Sequence, residues 1–237
     1  FNQLDSALFQ VEKLIDEGAH IIDVGGESTR PNHVMISVQE EIERVCPIIE
    51  AINRRFSIPI SLDTYKSEVA EAGFIVGVHM INDIWGLKWD NRMAGVIAKY
   101  KGSCCIMHNR TEMNYHNFIE DVLTDLQASL LIAMNAGIDM NQIMIDPGIG
   151  FAKDLRLNLL MMKHLHRLKE LGYPILLGTS RKSMIGLTLD LPLEEREEGT
   201  IATSVMGVEK GCSFFRVHNV QENLRAIRMT EAILNIE

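Results

Sequence analysis

The stretch PISLDTYKSEVAEAGFIVGVHMIND, residues 59–83, holds one complete structural repeat. Pro59-Ile60-Ser61-Leu62-Asp63 is a short apolar strand closed by an acid. The spacing predicts a helix over Ser67–Val76, stopped at Gly77 by a residue suited to the left-handed turn that ends helices. Met80-Ile81-Asn82-Asp83 is the next strand, again closed by polar residues. Both strands lack the polar alternation of a half-exposed sheet, which is the pattern of parallel strands covered on two faces.

The same grammar extends in both directions. Leu4, Leu8, Val11, Leu14 and Ile15 form a helical stripe ending at Gly18, and His20–Val24 is a strand. Ser37 with Glu40 has the spacing of a capping box and opens a helix through Val45, Ile48, Ile49 and Ile52. Downstream come a helix near Met93–Lys99, a strand over Ser103–Met107, and a long helix from Phe118 to Gly137. A strand at Gln142–Asp146 precedes a helix through Leu157–Leu168, closed by Gly172. A strand at Pro174–Leu177 leads to a helix near Leu193–Glu209, then a strand at Ser213–Val217. Asn219 with Glu222 caps the last helix. About eight helices and seven strands, with no Pro- or Ser-rich linker, predict a single domain over residues 1–237. The expected fold is α/β, a (β/α)8 TIM barrel lacking its first strand in this chain, because closure requires eight strands. The native protein is expected to carry that strand ahead of Phe1, ending in Asn or Asp.

Composition narrows the function. With 46% hydrophobic and 23% charged residues in 237, the chain is not disordered. No apolar run approaches the ~18 residues of a membrane span, and no basic-then-apolar leader opens the chain, so a soluble, cytoplasmic protein is expected. The net charge of −9 argues against nucleic acid or an anionic membrane as partner. Cys46, Cys104, Cys105 and Cys212 form no CxxC pair and are expected as buried, reduced thiols.

Polar residues gather at the carboxyl ends of the strands, the mouth where barrels place active sites. They are Asp23 with Gly25–Pro31, Asp63-Thr64, Asn82-Asp83, His108-Asn109, Asp146-Pro147-Gly148, Gly178–Lys182 and Arg216–Asn219. Asp63, Asn82 and Asp146 offer acceptors suited to a planar heterocycle with N–H and NH2 donors along one edge. Lys182, Arg216 and His218 come from the last two strands, where barrels commonly bind phosphate. Arg216 and His218, two apart, would face the same way on an extended strand. Gly25–Pro31 is long and polar enough to act as a loop over substrate. Scattered histidines argue against a metal hydrolase, and Ser180 lacks an assignable base for nucleophilic catalysis.

These residues together resemble the dihydropteroate synthase family. The resemblance rests on Ile22–Pro31 (IDVGGESTRP), Ser61-Leu62-Asp63-Thr64, Ile81-Asn82-Asp83, Asp146–Phe151 (DPGIGF), Thr179–Ser183 (TSRKS) and Arg216-Val217-His218-Asn219. It implies a cytoplasmic, homodimeric, Mg2+-dependent transferase of folate biosynthesis and a sulfonamide target. That transferase condenses 6-hydroxymethyl-7,8-dihydropterin diphosphate with p-aminobenzoate, giving dihydropteroate and diphosphate. By motif, Asp63, Asn82, Asp146 and Lys182 would hold the pterin, and Arg216 and His218 the diphosphate. Thr29 and Arg30 would belong to the covering loop, with Ser180 and Phe151 near p-aminobenzoate. Lys182, Arg216 and His218 would be catalytic. The family's Asn ligand to Mg2+ lies on the first strand, which has no counterpart here, so the metal ligands are unknown. A related methyltransferase barrel would share the acceptors but have no diphosphate to hold, so SRK and RVH weigh against it. The full set of mouth residues weighs against a non-catalytic scaffold.

Overall fold

The computed structural model describes residues 2–27 and 34–236. In chain order the helices are α1 (Asn2–Asp16), α2 (Val38–Arg55), α3 (Ser67–Ile75), α4 (Met93–Tyr100) and α5 (Phe118–Asn135), then α6 (Leu155–Lys163), α7 (Ser183–Leu189), α8 (Glu197–Glu209) and α9 (Val220–Leu234). The strands are β1 (Ile22–Gly25), β2 (Ile60–Asp63), β3 (Met80–Asp83), β4 (Ser103–Met107), β5 (Ile143–Asp146), β6 (Leu176–Leu177) and β7 (Phe214–Phe215). The chain forms two compact units: Phe1–Met107 with Ala128–Ile143, and His108–Gln127 with Met144–Glu237.

In the first unit β1, β2, β3 and β4 pair side by side and parallel. The register sets Asp63 beside Asn82 and Asn82 beside Cys105. Ile60, Leu62 and Ile81 on the strands are fully buried, as are Ile49, Ile52 and Ile97 on the helices. Each such side chain contributes about 1.5–3 kcal/mol when removed from water. Cys104 and Cys105 are both buried although neighbours on a strand point to opposite faces, so β4 is covered on both sides. None of the four cysteines is in a disulfide; Cys46 is half-buried and the other three are buried.

The second unit joins β6 to β7 in parallel, and Ile145 of β5 bridges Ile175. Here the elements differ in detail from the sequence expectation. The expected helix through Leu168 leaves α geometry at His164 and continues as a 3-10 turn over Leu165–Leu171. The helix expected from Leu193 begins at Glu197, because Arg196 turns away so that its guanidinium donates to Leu191 O and Arg181 O. The strand expected at Ser213–Val217 keeps only two residues, so Arg216 and His218 lie beyond it and the side-by-side strand argument does not apply.

The caps differ as well. Ser37 Oγ accepts from Glu40 N at 3.1 Å, and Glu40 itself turns to Arg44. Asn219 makes no side-chain cap; its Oδ1 takes Arg181 Nη2 instead.

Candidate active site

In the first unit, the strand ends separate two kinds of polar side chain. Asn82 Nδ2 donates to Asp63 Oδ1 at 3.1 Å across the β2–β3 pair. Asn82 Oδ1 is buried without a hydrogen-bond partner, an acceptor that leaves a donor to be supplied. Asp83, on the opposite face of the pleat, accepts from Trp85 N and Leu87 N at 2.8 Å each. Burial raises Asp83 to about 6 even though both backbone bonds pull the other way. Asp83 therefore shapes the turn after β3, while Asn82 presents an unmet polar group.

Glu27, the last described residue of the Gly25–Pro31 motif, belongs to a buried ion cluster. Lys66 Nζ donates to Glu27 Oε2 and Glu41 Oε2 at 2.7 Å each and to Ile36 O at 2.8 Å. Tyr65 OH donates to Glu27 Oε1 at 2.6 Å. Burial opposes the Lys66 charge, but Glu27 and Glu41 outweigh it and hold the ammonium above its ordinary value. Thr29 and Arg30 lie outside the described residues.

The second unit gathers six of the expected site residues. Asp146 ends β5 fully buried; Oδ1 accepts from Gly148 N at 2.7 Å and Oδ2 has no hydrogen-bond partner. A Cβ on Gly178 would stand 3.8 Å from that Oδ2 and 3.5 Å from Arg216 Nε, so carboxylate and guanidinium flank the bare end of β6. The Asp146–Phe151 turn folds because Gly148 is glycine. Its φ is +67°, and a Cβ there would fall 1.9 Å from His108 O.

Lys182 Nζ donates to Ile149 O and stands 5.0 Å above the Phe151 ring. Ser180 Oγ lies 2.8 Å from His218 Nδ1 and accepts from His218 N at 3.2 Å, so the hydroxyl orients the imidazole. One unmet carboxylate oxygen and three cationic or proton-bearing side chains suit a ligand with a donor edge and an anionic tail.

Sequence reasoning missed Lys153. Its Nζ is buried and lies 2.9 Å from Gly148 O, Phe151 O and His108 Nδ1. His108 Nε2 is 3.1 Å from Asp125 Oδ2, which also accepts from Arg110 Nε at 2.5 Å. Burial pushes Lys153 down to about 7; Asp146 pulls it back, while Lys182 and Arg110 push it further. The available signal was a lysine two residues past the apolar, glycine-rich DPGIGF run. Among the described residues no group of three His, Cys, Asp or Glu side chains could hold a metal ion.

A family model described as pterin binding enzyme matches residues 1–218. The dihydropteroate synthase of Clostridium beijerinckii is 57% identical over 235 residues, covering 99% of this chain and 87% of that protein. The crystal structure of a dihydropteroate synthase from Clostridium difficile, in the presence of pteroic acid, has a TM-score of 0.98 at 48% identity, covering 100% of this chain and 90% of that one. The Xanthomonas albilineans dihydropteroate synthase with 4-aminobenzoic acid has a TM-score of 0.94 at 35% identity, covering 99% and 86%. The chain belongs to the pterin-binding enzyme family, with the (β/α)-barrel fold class of its dihydropteroate synthases and their transferase activity, the condensation of a pterin diphosphate with p-aminobenzoate in folate synthesis.

Proposed function

We propose that Asp146 is the principal acceptor for the pterin ring and that Lys182, Arg216 and His218 carry the charge of the reaction. The observation that supports this most is the buried, unpartnered Oδ2 of Asp146. A buried carboxylate oxygen without a donor is costly, and the amino-pyrimidinone edge of 6-hydroxymethyl-7,8-dihydropterin diphosphate supplies donors. Asp63 and Asn82 carry the same assignment from their motifs. Thr29 and Arg30 are assigned to the covering loop, and Ser180 and Phe151 to the p-aminobenzoate side. The single family model running through both units supports one pterin-binding domain.

In the reaction the bond from the pterin methylene carbon to the diphosphate oxygen breaks, and the diphosphate leaves with the electron pair. The aniline nitrogen of p-aminobenzoate attacks that carbon and then loses a proton. Arg216 and His218 would stabilise the charge growing on the leaving group, with Ser180 holding His218 in register. Lys182 would stand against the pterin face beside Phe151.

Mg2+ would assist diphosphate departure as a Lewis acid. The described residues supply no cluster for it, so none is assigned as ligand and no step is routed through it. A homodimer is supported by exposed apolar residues on α8 and α9, among them Met206, Met229 and Ile233. No helix among the described residues is long and apolar enough to cross a membrane, and a cytoplasmic location is proposed on the folate-pathway role. Mixing the pterin diphosphate with p-aminobenzoate tests the assignment. Loss of dihydropteroate formation in the folded Lys182→Ala and Arg216→Ala variants supports it, and activity unchanged in both contradicts it.

A further inference from the structure

We infer that Lys153 is a positioning residue for the pterin site, pinning the Gly148–Phe151 turn from beneath through a buried relay with His108 and Asp125; the inference rests on the assignment of Asp146 to the pterin. The turn leaves Asp146 at an angle set by glycine geometry, and its two outward carbonyls, Gly148 O and Phe151 O, converge on one amine at 2.9 Å each. Without Lys153, Phe151 O would lose its side-chain donor and Gly148 O would keep only Phe151 N, at 3.1 Å, so the turn would lose the tie between its two ends.

Behind the amine, His108 Nδ1 takes the third position and Asp125 compensates the charge from His108 Nε2. One proton on the Lys153–His108 pair satisfies every contact whichever nitrogen holds it. With none, two lone pairs face each other across 2.9 Å. The groups facing the pair are Asp125, Arg110, Asp146 and Lys182. His108 also grips the turn by its backbone, since His108 N donates to Asp146 O at 2.9 Å. The turn in turn carries Ile149 O, the acceptor of Lys182, so the same pin sets both the acid and the lysine.

The test compares Lys153→Met and His108→Gln with Asp146→Asn, using full steady-state kinetics for each substrate. For Lys153→Met the expected result is a rise in KM for the pterin diphosphate of about tenfold or more, with KM for p-aminobenzoate within about twofold. His108→Gln keeps an acceptor for the amine and should give a smaller rise with the same selectivity, which serves if Lys153→Met does not fold. Unchanged pterin KM in the folded Lys153 or His108 variant, while Asp146→Asn is impaired, overturns the Lys153 role alone. Equal losses for both substrates also overturn it, since a general structural defect would do that. An Asp146→Asn variant with normal pterin KM instead removes the underlying pterin assignment.

Discussion

Replacing Asp146 by Asn separates the fold from the ligand. The amide oxygen can keep the bond from Gly148 N, now 2.7 Å, so the turn should survive. The NH2 group then stands where Oδ2 was, facing the Arg216 side of Gly178. A donor now meets the donor edge of the pterin. Losing a charge-assisted hydrogen bond costs about 1.5–3 kcal/mol, which is about a tenfold to hundredfold loss of affinity. The unliganded protein should change little, because Gly148 N keeps its acceptor and the relief of a buried, half-partnered carboxylate is set against the loss of its attraction to Lys153. Its melting temperature should move by no more than about 2–4 °C for each kcal/mol of imbalance between the two. Calorimetry with 6-hydroxymethylpterin, which carries no diphosphate, isolates the ring edge. Unchanged affinity, or a melting temperature lowered by many degrees, would refute the reasoning.

Arg216→Ala should weaken the diphosphate-bearing substrate far more than free hydroxymethylpterin, since only the former carries the anion; calorimetry on both ligands checks this, and equal losses would reassign Arg216 to structure. Gly148→Ala forces a Cβ against His108 O at a left-handed φ, so denaturant unfolding should show a loss of at least about 2 kcal/mol. Lys66→Met leaves Glu27 and Glu41 buried without their cation, at a cost of about 3–5 kcal/mol at neutral pH. Because Lys66 is raised in the folded state, its contribution in the wild type is complete below the ordinary lysine value of 10.5 and fades as pH climbs past the raised one. Urea midpoints measured from neutral to alkaline pH should therefore converge for the two proteins.

Much of this was legible because parallel strands declare themselves. The Ser67–Asp83 segment folds as its pattern says, with α3 over Ser67–Ile75, Gly77 at positive φ and β3 at Met80–Asp83. The polar strand ends were legible for the same reason: Asp63, Asn82 and Asp146 interrupt apolar runs. Which of two adjacent polar residues points to ligand was not. Asn82 and Asp83 differ only by the pleat, and only their partners distinguish an unmet acceptor from a turn brace.

Lys153 was missed because its place after DPGIGF does not reveal its role, which two carbonyls and one imidazole define, and His108 lies far from it in sequence. The short helix α7 was missed too, since seven residues give little periodicity. Asn219 misled, because its side chain answers Arg181 rather than the helix it precedes.

The central claim is that the buried oxygen of Asp146 meets the pterin ring. Diffraction from crystals of this chain soaked with 6-hydroxymethylpterin tests it directly. The account predicts the amino-pyrimidinone edge within hydrogen-bond distance of Asp146 Oδ2, with Lys182 and Phe151 beside the ring. Density for the pterin away from Asp146, with Oδ2 still unpartnered, would contradict it.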